Sequence, residues 1–516
     1  MRKEYEKKLI RKEYGIFNLR GAIRGKSKDA VQKEGQNIFD IMTGVAITIL
    51  VKKPNKNPDE KAVIYYHDIG DYLKRTDKLE ILKHFKGINN SKIEWKVLRP
   101  NEHNDWLNQR SDLFSSFIPL GDKDDKSNTK TVFAPFYSRG LATTRDAWCY
   151  NSSKRDLENN IKTIIDFYNE QKGLYSQYGK DVKKYVSMDS TKISWSDGLF
   201  DKLKRGDNII FNQKSIVESV YRPFLKQYLY FNRDLNERIY QQPKAYPTSE
   251  HKNVCIAVSG IGSGKDFSTL IVNQVPCLDM VEKGQCFPLY YYEENKGNIG
   301  TLFDQGKENY IRRDGITDFI LEQCRTRYGH KVIKEDIFYY VYGLLHSKGY
   351  REQFAADLKK MLPRIPLVDV PADFWAFSKA GRDLAELHLN YETVPAYPDV
   401  KVIGEDSEKY YVEKLSFGKN GKEVDKSTII YNSYIRIENI PLEAYDYVIN
   451  GKSAIEWIMD RYQISIDKAS SIKNDPNDWG LEHNNPRYIL DLILSIITVS
   501  MATNEIVKRL PKLDLK

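Results

Sequence analysis

The sequence has few cysteines and no long uninterrupted apolar run, and these shortages exclude several classes of protein. Five cysteines occur in 516 residues and none forms a CxxC pair, which argues against a disulfide framework or a zinc site. The most apolar run, "YILDLILSIITVSMA", carries Asp491 and is too short to cross a bilayer. The charged N-terminal segment lacks the apolar core of a signal peptide. We therefore expect a cytoplasmic protein with no membrane segment, in a reducing compartment.

The excess of positive over negative residues is small, and histidine is rare. The 80 Lys and Arg exceed the 71 Asp and Glu by nine, which permits a nucleic-acid partner without demanding one. The eight histidines are scattered and form no H-E-x-x-H motif, so they support no metal or nucleophile site. Tyrosine, by contrast, occurs 35 times. Tyrosine beside Lys and Arg suits surfaces that touch phosphates and stack on bases.

The glycine-rich stretch "VSGIGSGKDFS", residues 258–268, resembles a phosphate-binding loop but lacks two of its fixed positions. With Gly264 and Lys265 as the Gly-Lys pair, the leading glycine is replaced by Ser259, and Asp266 replaces the hydroxyl residue that holds magnesium. The sequence after the turn is β-branched and soon reaches Pro276. We therefore predict a turn between two strands rather than a nucleotide site.

Two further motifs carry possible chemistry. Glu94 and Lys96, placed in a predicted strand with acidic residues upstream, have the E-x-K spacing of metal-dependent nucleases, although solvated charges on an edge strand would give the same pattern. The segment "NNPRY", residues 484–488, is similar to the NPPY tetrad of amino-methyltransferases, but Arg487 replaces the second proline. Since Pro486 suits the first position of the apolar helix that follows, a helix start is favoured.

The pattern of the whole chain predicts an α+β protein. Near the N-terminus, "YGIFNLRG" and "AVIYYHDIG" indicate strands, "RTDKLEILKHF" a helix, and "GVAITILVKKP" a buried central strand. From about residue 133 to 295, strand-like pieces alternate with Gly, Pro and Asn turns. From 314 to 392 the apolar spacing predicts helices. A hairpin with an Asn420-Gly421 turn and two more helices follow.

Long segments of the chain resemble the C-terminal part of Type ISP restriction–modification enzymes. The similarity spans nearly all residues and includes "GIFNLRG", "FDIMTGVAITILVKK", "YHDIGDYLKR", "YSRGLATTRDAWCYN", "YRPFLKQYLYF", "EDIFYYVYGLLHS", "YREQFAADLKKMLPRIPL" and "DRYQISIDKASSIKNDPNDW". Those enzymes are single chains with a nuclease, a helicase-like ATPase, an N6-adenine methyltransferase and a target-recognition region. In that family the cofactor loop, the NPPY tetrad, the ATPase and the nuclease lie upstream of the "FNLRG" strand, so we expect a truncated or split product that lacks them.

The resemblance implies a fold and a function. We expect residual strands of a Rossmann-like methyltransferase domain (1–130), a β-rich target-recognition domain (131–300), a helical region (301–395) and a hairpin with C-terminal helices (396–516). The chain would recognise double-stranded DNA and bind no cofactor itself. S-adenosylmethionine would serve the complete system, together with an upstream chain or domain carrying the NPPY half, helicase and nuclease. Two alternatives remain: a split adenine methyltransferase subunit that becomes active with a partner, and a nuclease using Glu94 and Lys96.

The basic and aromatic residues between about Phe133 and Glu294 are the predicted DNA-contacting set. Arginine can pair bidentately with guanine, and a short threonine lets the backbone approach. The predicted residues are Arg139, Thr143, Thr144, Arg145, Arg222, Lys226, Arg233, Arg238 and Lys265. The alternative is that these are solvated charges, or arginines paired inside the fold with Asp146, Asp234 and Glu237.

Phe39 precedes the "GVAITILVKK" strand. In related adenine methyltransferases an aromatic residue at this point stacks on the flipped base, and the resemblance implies the same role here. The alternative is a core phenylalanine that caps the strand.

Overall fold

The computed structural model describes residues 12–23, 28–52, 63–178, 182–295, 310–405 and 409–515. It is a mixed α+β structure with many small sheets. The chain divides into two compact units. The first unit comprises the described residues up to Ser115 together with Gly264–Asp266, and the second comprises Ser116–Ser263 and the described residues from Phe267 onward.

The first unit is built on one four-stranded sheet. Its elements, in chain order, are β1 (Lys12–Arg20), α1 (Lys28–Glu34), β2 (Val45–Lys52), β3 (Val63–Asp68), α2 (Arg75–Phe85), β4 (Lys96–Leu98) and, at its boundary, α3 (Asp112–Ser116). The strand order is β2-β1-β3-β4; β1 is parallel to β3 and antiparallel to β2. Helix α2 has the predicted bounds, because its apolar residues recur at helical spacing.

The prediction of a buried central strand at "GVAITILVKKP" is wrong for the described residues. Strand β2 lies at the end of the sheet, and Ile47 and Leu50 are 40% and 50% exposed. A continuous apolar, β-branched run is typical of a strand that is covered on both faces. In the described sheet β2 has one neighbouring strand, β1, and apolar side chains of β2 remain exposed. The strand predicted around Glu94 is also shorter than expected: β4 begins at Lys96, so Glu94 lies outside it.

The second unit begins with two four-stranded sheets, ordered β11-β10-β13-β6 and β12-β8-β9-β7. The elements from here to residue 314 are β5 (Ile118–Pro119), β6 (Ser138–Arg139), α4 (Asp146–Cys149), β7 (Tyr150–Asn151), α5 (Lys154–Tyr178), α6 (Val182–Tyr185), α7 (Asp197–Arg205), β8 (Ile216–Arg222), β9 (Leu225–Tyr230), α8 (Gln242–Ala245), β10 (Cys255–Val258), β11 (Thr269–Val272), β12 (Val275–Pro276), β13 (Gln285–Pro288), β14 (Tyr290–Glu294) and β15 (Tyr310–Asp314). Their apolar side chains form one continuous core with the C-terminal elements.

The predicted helical region is present. It contains α9 (Asp318–Tyr328), α10 (Lys334–His346), α11 (Lys348–Gln353), α12 (Ala355–Lys360), β16 (Arg364–Ile365) and α13 (Pro371–Leu389). Helices α10 and α13 approach closely at Gly343 and Gly381. A Cβ atom on Gly381 would lie 1.8 Å from the Tyr339 carbonyl oxygen, so glycine is needed there.

The C-terminal part combines the predicted hairpin with helices. Its elements are β17 (Lys401–Ile403), β18 (Ser416–Asn420), β19 (Glu423–Ile430), β20 (Arg436–Glu438), β21 (Val448–Ile449), β22 (Lys452–Ser453), α14 (Ala454–Arg461), β23 (Ser465–Ile466), β24 (Lys473–Asn474), α15 (Asn477–Glu482) and α16 (Tyr488–Lys508). Gly421 has a left-handed φ of 61°, as the Asn-Gly turn requires.

Helix α16 corrects one expectation from the sequence. At 21 residues it is long and apolar enough to cross a membrane by length and composition, so the run is not too short. However, 61% of its most apolar window is buried inside the protein, as in the core helix of a folded domain. The helix starts at Tyr488 with Arg487 at the N-cap position, so the helix-start interpretation of "NNPRY" is confirmed. Pro486 precedes the N-cap and does not take the first helical position that was predicted for it.

The glycine-rich stretch joins two antiparallel strands, β10 and β11, as predicted. A phosphate-binding loop opens a helix instead. Gly260 is required because a Cβ atom there would lie 2.1 Å from the Lys283 carbonyl oxygen.

Candidate nucleic-acid interface

Two backbone segments of the second unit pair to form an edge that carries exposed cations. Ala142 and Arg238 form an antiparallel bridge: the Arg238 amide donates to the Ala142 carbonyl at 2.9 Å, and the Ala142 amide donates to the Arg238 carbonyl at 3.1 Å. The Gln242 side chain donates to the Arg139 carbonyl at 2.8 Å. We call residues 138–144 with 237–242 the paired edge. It fixes the backbones beneath the exposed side chains of Arg139 and Arg238.

Arg139 is held by an aromatic neighbour across the paired edge. Its guanidinium donates to the Tyr240 hydroxyl at 3.4 Å and lies 5.8 Å from the centre of the Tyr240 ring. Tyr240 has a left-handed φ of 49°, uncommon for a bulky residue. A cation–π contact orients the arginine while leaving most of its donors available to a ligand.

The two threonines of the paired edge differ in exposure. Thr143 is buried; its hydroxyl donates to the Asp146 carboxylate and accepts from the Arg145 amide at 3.1 Å. Thr144 is exposed and has a left-handed φ of 60°. The turn therefore presents Thr144 to solvent and uses Thr143 internally.

Arg145 is buried, with 3% of its surface exposed. Its guanidinium donates to the Ser194 carbonyl at 3.1 Å, to the Leu235 carbonyl and to the Ser196 hydroxyl. Burial lowers the pKa of this side chain, and the charge of Glu237, 3.9 Å away, opposes that effect. Arg145 thus ties the turn after Thr144 to two distant segments of the chain.

Arg222 and Lys226, on the β8–β9 hairpin, also have internal partners. The Arg222 guanidinium lies 3.9 Å from the centre of the Tyr221 ring and donates to the Cys277 sulphur at 3.1 Å. Lys226 forms an ion pair with Glu392 at 2.5 Å. Arg233 and Arg238, by contrast, are exposed, and neither forms an ion pair within the described part of the chain.

Lys265 lies on the turn between β10 and β11 and is half-buried. This turn is braced by its neighbours in the second unit. The Ser263 hydroxyl donates to the Glu282 carboxylate at 2.8 Å, and the Lys283 ammonium donates to the Gly262 carbonyl at 2.6 Å. These contacts fix the turn on the N-terminal side of Lys265.

In the first unit, Phe39 is 65% exposed, which rules out the core-phenylalanine alternative. The buried Asn37 shapes this loop. Its side-chain oxygen Oδ1 accepts from the Phe39 amide at 2.9 Å, and its side-chain NH2 group donates to the Gly21 and Thr43 carbonyls at 3.0 and 2.8 Å. The loop joins α1 to β2, and the hydrogen bond from Asn37 to Gly21 places it beside the carboxyl end of β1, the end at which ligands bind in open α/β sheets.

The comparisons with known proteins fit this geometry. The Type ISP C-terminal specificity domain model matches residues 131–492. The chain belongs to this family. Similar solved structures include a nuclease-deletion mutant of the Type ISP restriction-modification enzyme LlaGI in complex with a DNA substrate mimic (38% identity, TM-score 0.84, 99% of this chain) and the ATP-dependent Type ISP enzyme LlaBIII bound to DNA (38%, 0.86, 99%). A DrdV–DNA complex is also similar (28%, 0.82, 98%).

This chain covers less than half of each solved chain: 45% of LlaGI, 32% of LlaBIII and 48% of DrdV. No curated protein matches. The resemblance inferred from the sequence is therefore confirmed at the level of the family.

The nuclease alternative finds no support in the Type ISP chain. Glu94 is exposed and precedes β4, and Lys96 lies at the start of that strand. Among the residues that the structure describes, no group of three or more His, Cys, Asp or Glu side chains could hold a metal ion. An E-x-K nuclease needs such a group of carboxylates.

Sequence reasoning missed Tyr240 in this specificity domain. Its role depends on pairing with Arg139, about a hundred residues earlier, and no local motif marks it. The sequence signal that could have found it is its spacing: Tyr240 follows the predicted DNA-contacting Arg238 by two residues, and in an extended segment two such side chains point to the same face.

Proposed function

We propose that the chain is a sequence-specific DNA-recognition module of a Type ISP restriction–modification system. The observation that carries the proposal is the paired edge, where exposed Arg139 and Arg238 stand on hydrogen-bonded backbones. The similar LlaGI, LlaBIII and DrdV structures are DNA complexes. Base reading needs arginines held in register, since a bidentate contact to guanine depends on geometry.

The predicted DNA-contacting residues then divide into two groups. Arg139, Thr144, Arg233 and Arg238 would touch DNA, because their side chains are exposed. Lys265, half-buried on its turn, belongs to neither group and stays a prediction from the sequence. Thr143, Arg145, Arg222 and Lys226 would support this surface from beneath through their internal partners. The second group would affect DNA binding through the shape of the loops.

We further propose that the first unit is the last part of a Rossmann-like methyltransferase sheet. Parallel β1 and β3 support this. The exposed apolar residues of β2 also support it, since a larger sheet with a further strand beside β2 and helices on both faces would cover Ile47 and Leu50. Phe39 would stack on the flipped adenine. The complete cytoplasmic enzyme would use S-adenosylmethionine, and its NPPY half, helicase and nuclease would belong to a longer chain or to a partner. The domain boundaries near residues 130, 300 and 395 are part of the same proposal.

The experiment is to select a target site from randomised duplexes and then measure its affinity. Arg139→Ala and Arg238→Ala are each expected to cost about 1–3 kcal/mol on the selected site and to relax specificity at one position. The matched control is Arg155→Ala, an exposed arginine at the start of α5. Failure to select any site, or equal losses for all three variants, would contradict the proposal.

A further inference from the structure

A fully buried lysine lies in helix α2 of the first unit: none of the surface of Lys78 is exposed to solvent. Lysine is almost never fully buried unless its charge is satisfied, because an ammonium in an apolar environment is costly. The contacts of this ammonium therefore show which part of the structure the lysine serves.

The Lys78 ammonium is bonded to three backbone carbonyls from three different segments. It donates to the Leu19 carbonyl at 2.8 Å, to the Glu34 carbonyl at 2.9 Å and to the Gln36 carbonyl at 2.8 Å. Leu19 lies at the end of β1, Glu34 is the last residue of α1, and Gln36 lies in the loop that leads from α1 to β2. An ammonium has three N–H donors, so these contacts use all of them. Lys78 thus ties the end of a strand and the end of a helix to this loop.

The loop from α1 to β2 carries the constraint from Gln36 to Phe39. The Gln36 amide also donates to the Leu73 carbonyl at 2.9 Å, so its backbone is held on both sides. The next residue, Asn37, is buried, and its side-chain Oδ1 accepts from the amides of Phe39 and Ile41 at 2.9 and 3.3 Å. The backbone that bears the Phe39 ring is therefore fixed by hydrogen bonds that begin at Lys78.

This fixed loop nevertheless presents apolar side chains to solvent. Phe39 is 65% exposed and Met42 is 58% exposed. An exposed ring on a fixed backbone can accept the face of a base without first ordering the loop, which lowers the entropy cost of binding. A methionine in place of Lys78 would fill a similar space without placing a charge in the interior. The three carbonyls that the ammonium holds therefore explain why a lysine is present.

We propose that Lys78 is a positioning residue for the target adenine: its ammonium fixes the loop from α1 to β2 so that the Phe39 ring is ready to stack on the flipped base. The inference rests on the proposed function, because the flipped adenine and its stacking on Phe39 belong to that function. Lys78 itself would touch no ligand, since it has no exposed surface. Its effect on the reaction would therefore pass through Phe39.

The first measurement is hydrogen exchange of the full chain, in which Lys78→Met is compared with Lys83→Met, a change at an exposed lysine of the same helix. In Lys78→Met the Phe39 and Ile41 amides are expected to exchange at least about tenfold faster, because the charged donor that holds their loop is lost. Lys83→Met is expected to leave their exchange unchanged. Ile93→Ala, in the core of the same unit, is expected to speed exchange in β1 and in the loop together. Faster exchange in the loop than in β1 thus separates lost positioning from a general loss of stability.

Circular dichroism checks that each variant is folded. If Lys78→Met does not fold, Lys78→Gln takes its place, because glutamine keeps two donors on a side chain that is one bond shorter. The same selective release of the Phe39 and Ile41 amides is expected for Lys78→Gln.

The second measurement is the rate of methylation by an enzyme completed with the methyltransferase half. Lys78→Met is expected to lower kcat about fivefold or more, the lower end of the range for a lost base stack, and to leave KM for DNA unchanged. Because Lys78 would act through Phe39, adding Lys78→Met to Phe39→Ala is expected to slow methylation no further. Lys83→Met is expected to methylate at the unaltered rate.

The two measurements separate this inference from the proposed function. Loop amides that exchanged no faster in Lys78→Met than in Lys83→Met would overturn the positioning role. Losses that multiplied in the double variant would also overturn it, since Lys78 would then act independently of Phe39, but the stacking role of Phe39 would stand. If Phe39→Ala itself methylated at the unaltered rate, the proposed stacking would fail and this inference would fail with it.

Discussion

The two units differ in how completely the described residues bury their apolar side chains. The second unit has a continuous core that runs from Phe136 to Val499 and includes the buried side of α16. The main core of the first unit is a small cluster of five buried residues, Phe17, Leu19, Ile38, Ile69 and Ile93, while Phe39, Ile47 and Leu50 are exposed. A small core stabilises weakly, because burial grows with size. The second unit thus buries its apolar side chains among its own residues, whereas the first unit leaves apolar side chains of its end strand β2 exposed.

The largest predicted difference between the two units is the pH dependence of their stability. In the second unit, His388 is buried between the Tyr342 and Thr503 hydroxyls at 2.6 and 2.9 Å. Burial, and then the charge of Arg351, lowers its pKa to about 3. Burial, and then Arg351 and His388, lowers the pKa of His346 well below its usual range. The folded protein therefore holds the imidazoles of His388 and His346 in their neutral forms.

The direction in which stability changes with pH follows from proton uptake by the unfolded chain. Between about pH 6.5 and 3 the unfolded His388 binds a proton that the folded one does not, and His346 acts in the same direction, so stability falls as pH falls below about 6.5. At about 1.4 kcal/mol per pH unit, His388 alone would remove about 2 kcal/mol between pH 7 and 5, and His346 adds to this loss. Hydrogen exchange at both pH values should show the loss in the second unit. His346→Gln/His388→Gln should flatten the dependence and the exposed His330→Gln should not; the same slope in all three chains would contradict the assignment.

The next largest predicted effect is the loss of unfolding free energy when the buried Arg145, which supports the paired edge, is replaced. Arg145→Met removes the donors to the Leu235 and Ser194 carbonyls and should cost about 3 kcal/mol of unfolding free energy, because buried acceptors lose their partners. Denaturant unfolding measures the loss. Arg155→Ala, at an exposed position, should stay within about 0.5 kcal/mol. If Arg145→Met were as stable as Arg155→Ala, the supporting role of Arg145 would be wrong.

Arg139 and Arg145 also show what a sequence can and cannot predict. The local patterns predicted α2, the Asn420-Gly421 hairpin and the glycine turn between β10 and β11 correctly, since each depends on residues close in the chain. Arg139 and Arg145 occur in one short stretch, yet one is exposed and the other is buried by partners 49 and 90 residues away. The position of β2 at the end of the sheet likewise depends on which strands are present, which periodicity does not encode.

The smallest expected change in stability is at Phe39. Because it is 65% exposed, Phe39→Ala should alter the unfolding free energy by no more than about 0.5 kcal/mol. Phe17→Ala, in the core of the same unit, should cost about 3 kcal/mol or more. In an enzyme completed with the methyltransferase half, Phe39→Ala should slow methylation through the loss of stacking worth about 1–3 kcal/mol, and Phe39→Tyr should restore it. Unchanged methylation by Phe39→Ala would remove the base-stacking role and leave the exposed ring without a function in the reaction.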